Sequence, residues 1–150
     1  MNENKKIHTI ITAEALMHYT VYKITNTRNN RFYIGKHSTL NLNDGYMGSG
    51  VALKQAQQQV GMKHFKKEIL ADCKSEEQMN EYERIYISSS MSNYSRKCYN
   101  KVKGGGGHKK DPMKIRFSMD DIKEGRVKLT IKEDTTLSSD KYQMIVKPAA

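Results

Sequence analysis

The clearest pattern of apolar and polar positions lies in Thr20–Thr25 and Arg31–Lys36, two β-type runs rich in Val, Ile, Thr and Tyr that flank the polar insert Asn26–Asn30. β-branched and aromatic side chains suit a pleated, half-buried surface, and a short polar insert closes a hairpin, so the stretch predicts two antiparallel strands. Tyr22 and Tyr33 fall one on each strand, within side-chain reach if the register sets them opposite or diagonal.

Downstream, Lys36–Ser49 is rich in Asn, Ser, Gly and Asp and reads as a loop. Ser49 stands at the N-cap position of a helix over Gly50–Val60, which Gly61 ends. Phe65–Ala71 predicts a third strand packed against the hairpin. Ser75-Glu76-Glu77-Gln78 has the form of a capping box with two acids in the first turn, and opens a helix from Glu76 to about Ser88. Met79, Tyr82 and Tyr86 form its expected inward stripe. Glu83 falls inside that stripe, where a carboxylate is costly unless it is paired or holds a cation, and spacing alone singles it out.

The flanks are less patterned. Residues 1–18 read as a mixed leader in which Ala13–Met17 form one helical turn or stay loose. Ser88–Lys97 reads as a polar connector, Cys98–Val102 as a last short strand, and Gly104–Gly107 as a flexible break rather than a phosphate loop, since it lacks the Gly-Lys-Ser/Thr ending. Alternation in Lys114–Met119, Arg126–Lys132 and Tyr142–Val146 predicts a β-rich appendage. The expected plan is a leader (1–18), a compact domain (19–107) and the appendage (108–150). Its fold class is α/β in the α+β sense, a small antiparallel or mixed three-stranded sheet flanked by helices.

Charge narrows the partner. The chain carries a formal +10, and residues 111–150 hold eight Lys/Arg and seven Asp/Glu, which leaves 18 basic against 9 acidic residues in the first 110. Such an excess favours a polyanion through counterion release. Lys54, Lys63, Lys66, Arg96, Lys101 and Lys103 are the expected contacts to the phosphates of a nucleic acid. A membrane-surface protein would need an amphipathic or lipidated segment, and no apolar run approaches ~18 residues, so the expectation is a soluble, cytoplasmic protein without a membrane partner. The two cysteines, Cys73 and Cys98, lie 25 apart without zinc-site spacing.

Taken together, Thr20-Val21-Tyr22 and Phe32-Tyr33-Ile34-Gly35, with the second tyrosine eleven residues after the first, resemble the paired motif of the GIY-YIG endonucleases. Glu83 and Asn100 match that family's glutamate and asparagine in the same order, and the likeness covers about Tyr19–Gly107. The resemblance implies a metal-dependent DNA endonuclease, of homing type or degrading host DNA for a phage in a bacterial cell, acting on double-stranded DNA. It implies one Mg²⁺ (or Mn²⁺) held by Glu83, Tyr22 as general base, Tyr33 hydrogen-bonding within the site and Asn100 supporting it. Lys36 and His37, directly after Tyr-Ile-Gly, are expected to supply positive charge that lowers the Tyr22 phenol or to touch the phosphate. One departure stands out: where many family members carry an arginine about ten residues after the second tyrosine, this chain has Leu42-Asn43-Asp44-Gly45-Tyr46. Lys36, His37 or Lys54 are candidates to replace it, with Tyr46 near by. The missing cation motivates an alternative, a nucleic-acid-binding module of the same fold without turnover; a basic protein-interaction adaptor is a third reading.

Overall fold

The computed structural model describes residues 8–100, 115–134 and 142–149, which fall into two compact units. One comprises residues 18–111, the other residues 1–17 with 112–150.

The first unit is built on β2 (His18–Asn26) and β3 (Phe32–Thr39), the expected hairpin. Its turn closes through Asn30, whose positive φ of 60° is one that Asn tolerates. β4 (Phe65–Cys73) pairs antiparallel with the other side of β2, so the order is β3-β2-β4, and the β2–β4 register shifts between Val21 and Tyr22. Helix α1 (Val51–Val60) packs its buried Leu53 with Tyr22, Ile24, Phe65 and Tyr99 in a core on one side of the sheet. Gly50, not Ser49, is the N-cap, and it supplies no side-chain cap.

Helix α2 (Glu76–Tyr94) begins where the capping signature placed it, with Ser75 Oγ accepting from Gln78 N at 3.1 Å. It runs on past Ser88, so the polar connector is helical to Tyr94 and then forms a short 3₁₀ turn over Ser95–Lys97. Its inward line is Met79, Glu83 and Ile87, a four-residue step, while Tyr82 is exposed. The expected stripe was out of phase at Tyr82 because the i+3 and i+4 neighbours of Met79 lie on diverging sides of the helix. Cys98 makes a single parallel bridge to Phe32; Lys101, Lys103 and Gly104–Gly107 lie outside the described residues.

The second unit is a sheet of order β5-β1-β6, from β1 (His8–Ala15), β5 (Val127–Asp134) and β6 (Tyr142–Pro148). Residues 8–15 are therefore no loose leader. They form the central strand, antiparallel to β5 and parallel to β6, and their partners lie more than a hundred residues onward, beyond the reach of a local reading. The two appendage strands stand at the expected places, but the described part of Lys114–Met119 is irregular chain leading into a five-residue helix, α3 (Met119–Lys123), capped by the reciprocal Ser118–Asp121 pair.

Candidate active site

Pairing of Tyr22 with Gly35 and of Ile24 with Tyr33 sets the two phenols diagonally on one face of the sheet. Their ring centroids are 6.2 Å apart. Both lie over bare backbone, since a Cβ at Gly35 would stand 2.4 Å from Tyr22 Oη and 2.7 Å from Tyr33 Cε1. Glycine is required there for close approach, as the Tyr-Ile-Gly sequence provides.

His37 shares that face. Its ring stacks on Tyr46 at 3.8 Å and 9°, and Tyr46 in turn stands edge-on to Tyr22 at 5.9 Å. Asp44 fixes the arrangement: Oδ2 lies 2.6 Å from His37 Nε2 and accepts from Thr39 Oγ1 at 2.8 Å, and Oδ1 accepts from the Tyr46 backbone N–H at 3.0 Å. Burial pushes the Asp44 carboxyl up, but the hydrogen bonds from His37, the Tyr46 backbone and Thr39 outweigh it and hold the group at about 2. Lys67, on β4, donates to the Tyr46 carbonyl at 2.8 Å and stands 5.0 Å from the Tyr22 ring centre.

Lys67 does not make Tyr22 a stronger acid. Only 1% exposed, its phenol is raised well above the ordinary value by burial first and by Tyr46 and Tyr33 next. The expected lowering by adjacent charge is thus reversed, because burial disfavours the charged phenolate. Tyr33 is raised as well, by burial and then by the charge of Glu83, with a hydrogen bond to Ser49 pulling the other way.

The opposite face holds the carboxylate. Lys36 pairs with Val21, so the pleat turns it away from the phenols toward α2. There its Nζ donates to Asn80 Oδ1 at 2.6 Å and lies 3.9 Å from Glu83 Oε1. Glu83 is 8% exposed within the apolar line of Met79 and Ile87. Its charge is the second cause, after burial, of the raised Tyr33 phenol and the smallest of those that raise Tyr22. Asn100 fastens the edge strand β3: Oδ1 accepts from Ile34 N at 2.9 Å and Nδ2 donates to Ile34 O at 2.7 Å, replacing the strand partner β3 lacks on this side.

The structure therefore gathers Tyr22, Tyr33 and His37 on one face, Lys36 and Glu83 on the other, and Asn100 on the rim. Of the expected DNA contacts, Lys54, Lys63, Lys66 and Arg96 are exposed. Among the described residues no three His, Cys, Asp or Glu side chains converge on one point, so a metal here would have Glu83 as its protein carboxylate and draw its other ligands from water and substrate. Sequence reasoning passed over Asp44, Asn80 and Lys67 as site residues. Lys67 had a usable signal, for it is in phase with the inward Phe65 while Lys66 is not.

Residues 18–100 match the GIY-YIG catalytic domain. "Putative endonuclease segB" of Enterobacteria phage T4 is 48% identical over 91 residues, covering 61% of this chain and 41% of the relative. "Putative endonuclease segD" of the same phage is 42% identical over 101 residues, 64% of this chain and 45% of its own length. "Endonuclease segA", also of that phage, is 41% identical over 96 residues, with 64% and 43% covered. The chain spans less than half the length of these relatives. No solved structure gives a significant match.

Proposed function

The chain belongs to the GIY-YIG catalytic-domain family, and from that premise we propose that it is an endonuclease hydrolysing phosphodiester bonds of double-stranded DNA, with one Mg²⁺ or Mn²⁺ ion held by Glu83. What carries the reading is a carboxylate buried in the apolar line of α2, beside the strand edge that bears the half-buried Tyr33 next to the buried Tyr22. A purely structural helix would place an apolar residue there. A single carboxylate suits a hard cation that keeps most of its waters. When bound, such an ion supplies charge stabilisation on the phosphate and at the leaving oxygen.

The chain's own residues supply the rest. Lys36 brings an ammonium beside Glu83, where charge on a bound phosphate develops, and takes the part of the family arginine this sequence lacks. Tyr22 stays a phenol at neutral pH and serves by orienting the attacking water through its O–H. Proton removal falls to His37, since the buried Tyr22 phenol keeps its own proton; Asp44 and Tyr46 keep the imidazole ring in place. Asn100 holds the strand from which Tyr33 and Lys36 project. The excess of positive charge in the first 110 residues supports a nucleic-acid substrate, and the printed names of the phage relatives support endonucleolytic cutting and a role of homing or DNA-degrading type.

A plasmid-nicking assay with and without Mg²⁺, run beside Glu83→Ala, tests the reading. Metal-dependent nicks that vanish in the variant are expected. Salt-sensitive binding by the unaltered protein with no nicks in any metal would instead identify a binding module without turnover.

A further inference from the structure

On the far side of the hairpin unit from Lys36 and Glu83, an open cleft of about 280 Å³ lies between the turn of β2–β3 and helix α1, with Asn29, Arg31, Gln55 and Gln59 on its polar side and Tyr99 as an aromatic wall. We propose that this cleft is a second DNA contact, a subsite for a phosphate of the substrate strand with Arg31 as its anchor. The proposal rests on the nuclease reading for the identity of the strand; the donor chemistry stands without it.

Four observations carry it. Among the described residues that line the cleft, Arg31 alone is charged and none is a carboxylate. Its guanidinium makes no hydrogen bond or ion pair among the described residues, and Nε is shut off from water with no acceptor. An arginine this enclosed is ordinarily spent on a carboxylate or a row of carbonyls; this one is left unspent.

It is also held in place. The guanidinium lies over the Tyr99 ring at 4.6 Å, and Tyr99 is itself fixed by Asn26 Nδ2 donating to its hydroxyl at 3.1 Å and by its N–H donating to Phe32 O at 2.7 Å. The fork is thus oriented in advance, which lowers the ordering cost of binding an anion.

The neighbouring groups are donors too. Asn29 Oδ1 is occupied by the Arg31 backbone N–H at 2.9 Å, which leaves its amide NH₂ for a ligand. Gln55 and Gln59 stand one helical turn apart on α1, so both project to the same side. A volume of this size accommodates a phosphate with part of its flanking sugar. Beyond the cleft, the His64 imidazole is lowered by desolvation first and by the charges of Arg28 and Lys63 next, and its carbonyl accepts from Thr27, so a strand leaving the cleft along the turn meets further positive charge.

The test is duplex binding by fluorescence anisotropy in metal-free buffer, where no cutting occurs, across a salt series. Arg31→Gln is expected to weaken binding about 10-fold at low salt and to lower the slope of log affinity against log salt by about one. Gln59→Glu, at an exposed helix position that leaves Tyr99 untouched, is expected to weaken binding in the same direction, and thermal unfolding checks that both variants are folded. Native affinity and slope in both variants overturn the proposal. In a second arm, inorganic phosphate that raises the melting temperature of the unaltered protein but not of Arg31→Gln, with duplex binding unchanged, overturns the strand assignment in favour of a free anion. An Arg31-dependent slope in a protein that never cuts would sink the nuclease reading and leave this subsite standing.

Discussion

The two sheets have three strands each and treat their side chains in opposite ways. In β3-β2-β4 and the helix α2 packed on it, the buried set includes Thr20, Asn26 and Glu83 beside Tyr22, Ile24 and Phe65. Each polar intruder is answered: Thr20 Oγ1 donates to His37 O, Asn26 to Tyr99, and Glu83 has Lys36 near it. In β5-β1-β6 the described apolar positions are covered unevenly. Ala15 and Val127, cross-strand partners, are buried, whereas Ile131 is 66% and Met144 53% exposed, both opposite Ile11. Burial of polar groups costs stability and is tolerated where they have a task. The contrast teaches that the proposed site sits where the apolar pattern is broken, not where apolar side chains lie bare.

Substitutions can break that contrast or sharpen it. Glu83→Gln keeps the shape and removes the charge, and should cost about 10³-fold or more in cleavage with little change in melting temperature, since it removes the site proposed to hold the ion; single-turnover rates decide it. Lys36→Ala should cost about 10²-fold in the same assay, and near-normal cleavage would return the search for the missing cation to Lys54 or Lys67.

Gly35→Ala forces a methyl to within 2.4 Å of Tyr22 Oη. Chemical denaturation should show a loss of about 2 kcal/mol, the scale of an overpacked core. Asp44, held at about 2 in the folded chain against about 3.9 when unfolded, is a lowered group. Its contribution is therefore full above pH ~4 and disappears as pH falls through about 2. Asp44→Asn should flatten the stability profile in that window and leave it parallel at higher pH. Ile131→Ser, on the bare end of the other sheet, should shift stability by no more than about 0.5 kcal/mol and leave cleavage unchanged; a large loss there would show that the exposed face is occupied in the working protein.

What could be read beforehand follows the reach of each interaction. The hairpin, the third strand and the start of α2 are set by neighbours a few residues apart, and alternation and capping chemistry display them. Glu83 was legible because a charge in an apolar stripe is a local contradiction. The place of β1 was not, because the residues that make it a strand are those of β5 and β6. Nor was the assignment of Lys36 and His37 to opposite faces weighed, although the two-residue period of a strand demands it for adjacent positions. The raised phenol of Tyr22 depends on enclosure by Tyr46 and Tyr33, a loop residue and a partner strand, and no run of letters displays enclosure.

β1 pairs parallel with β6 although more than a hundred residues separate them, while residues 18–111 form a unit of their own between. Synthesis from the amino end therefore delivers the hairpin unit whole before β1 can find either companion. A chain that has grown only as far as residue 111 carries every residue of the hairpin unit, while β1 at its head still lacks both of the strands that flank it.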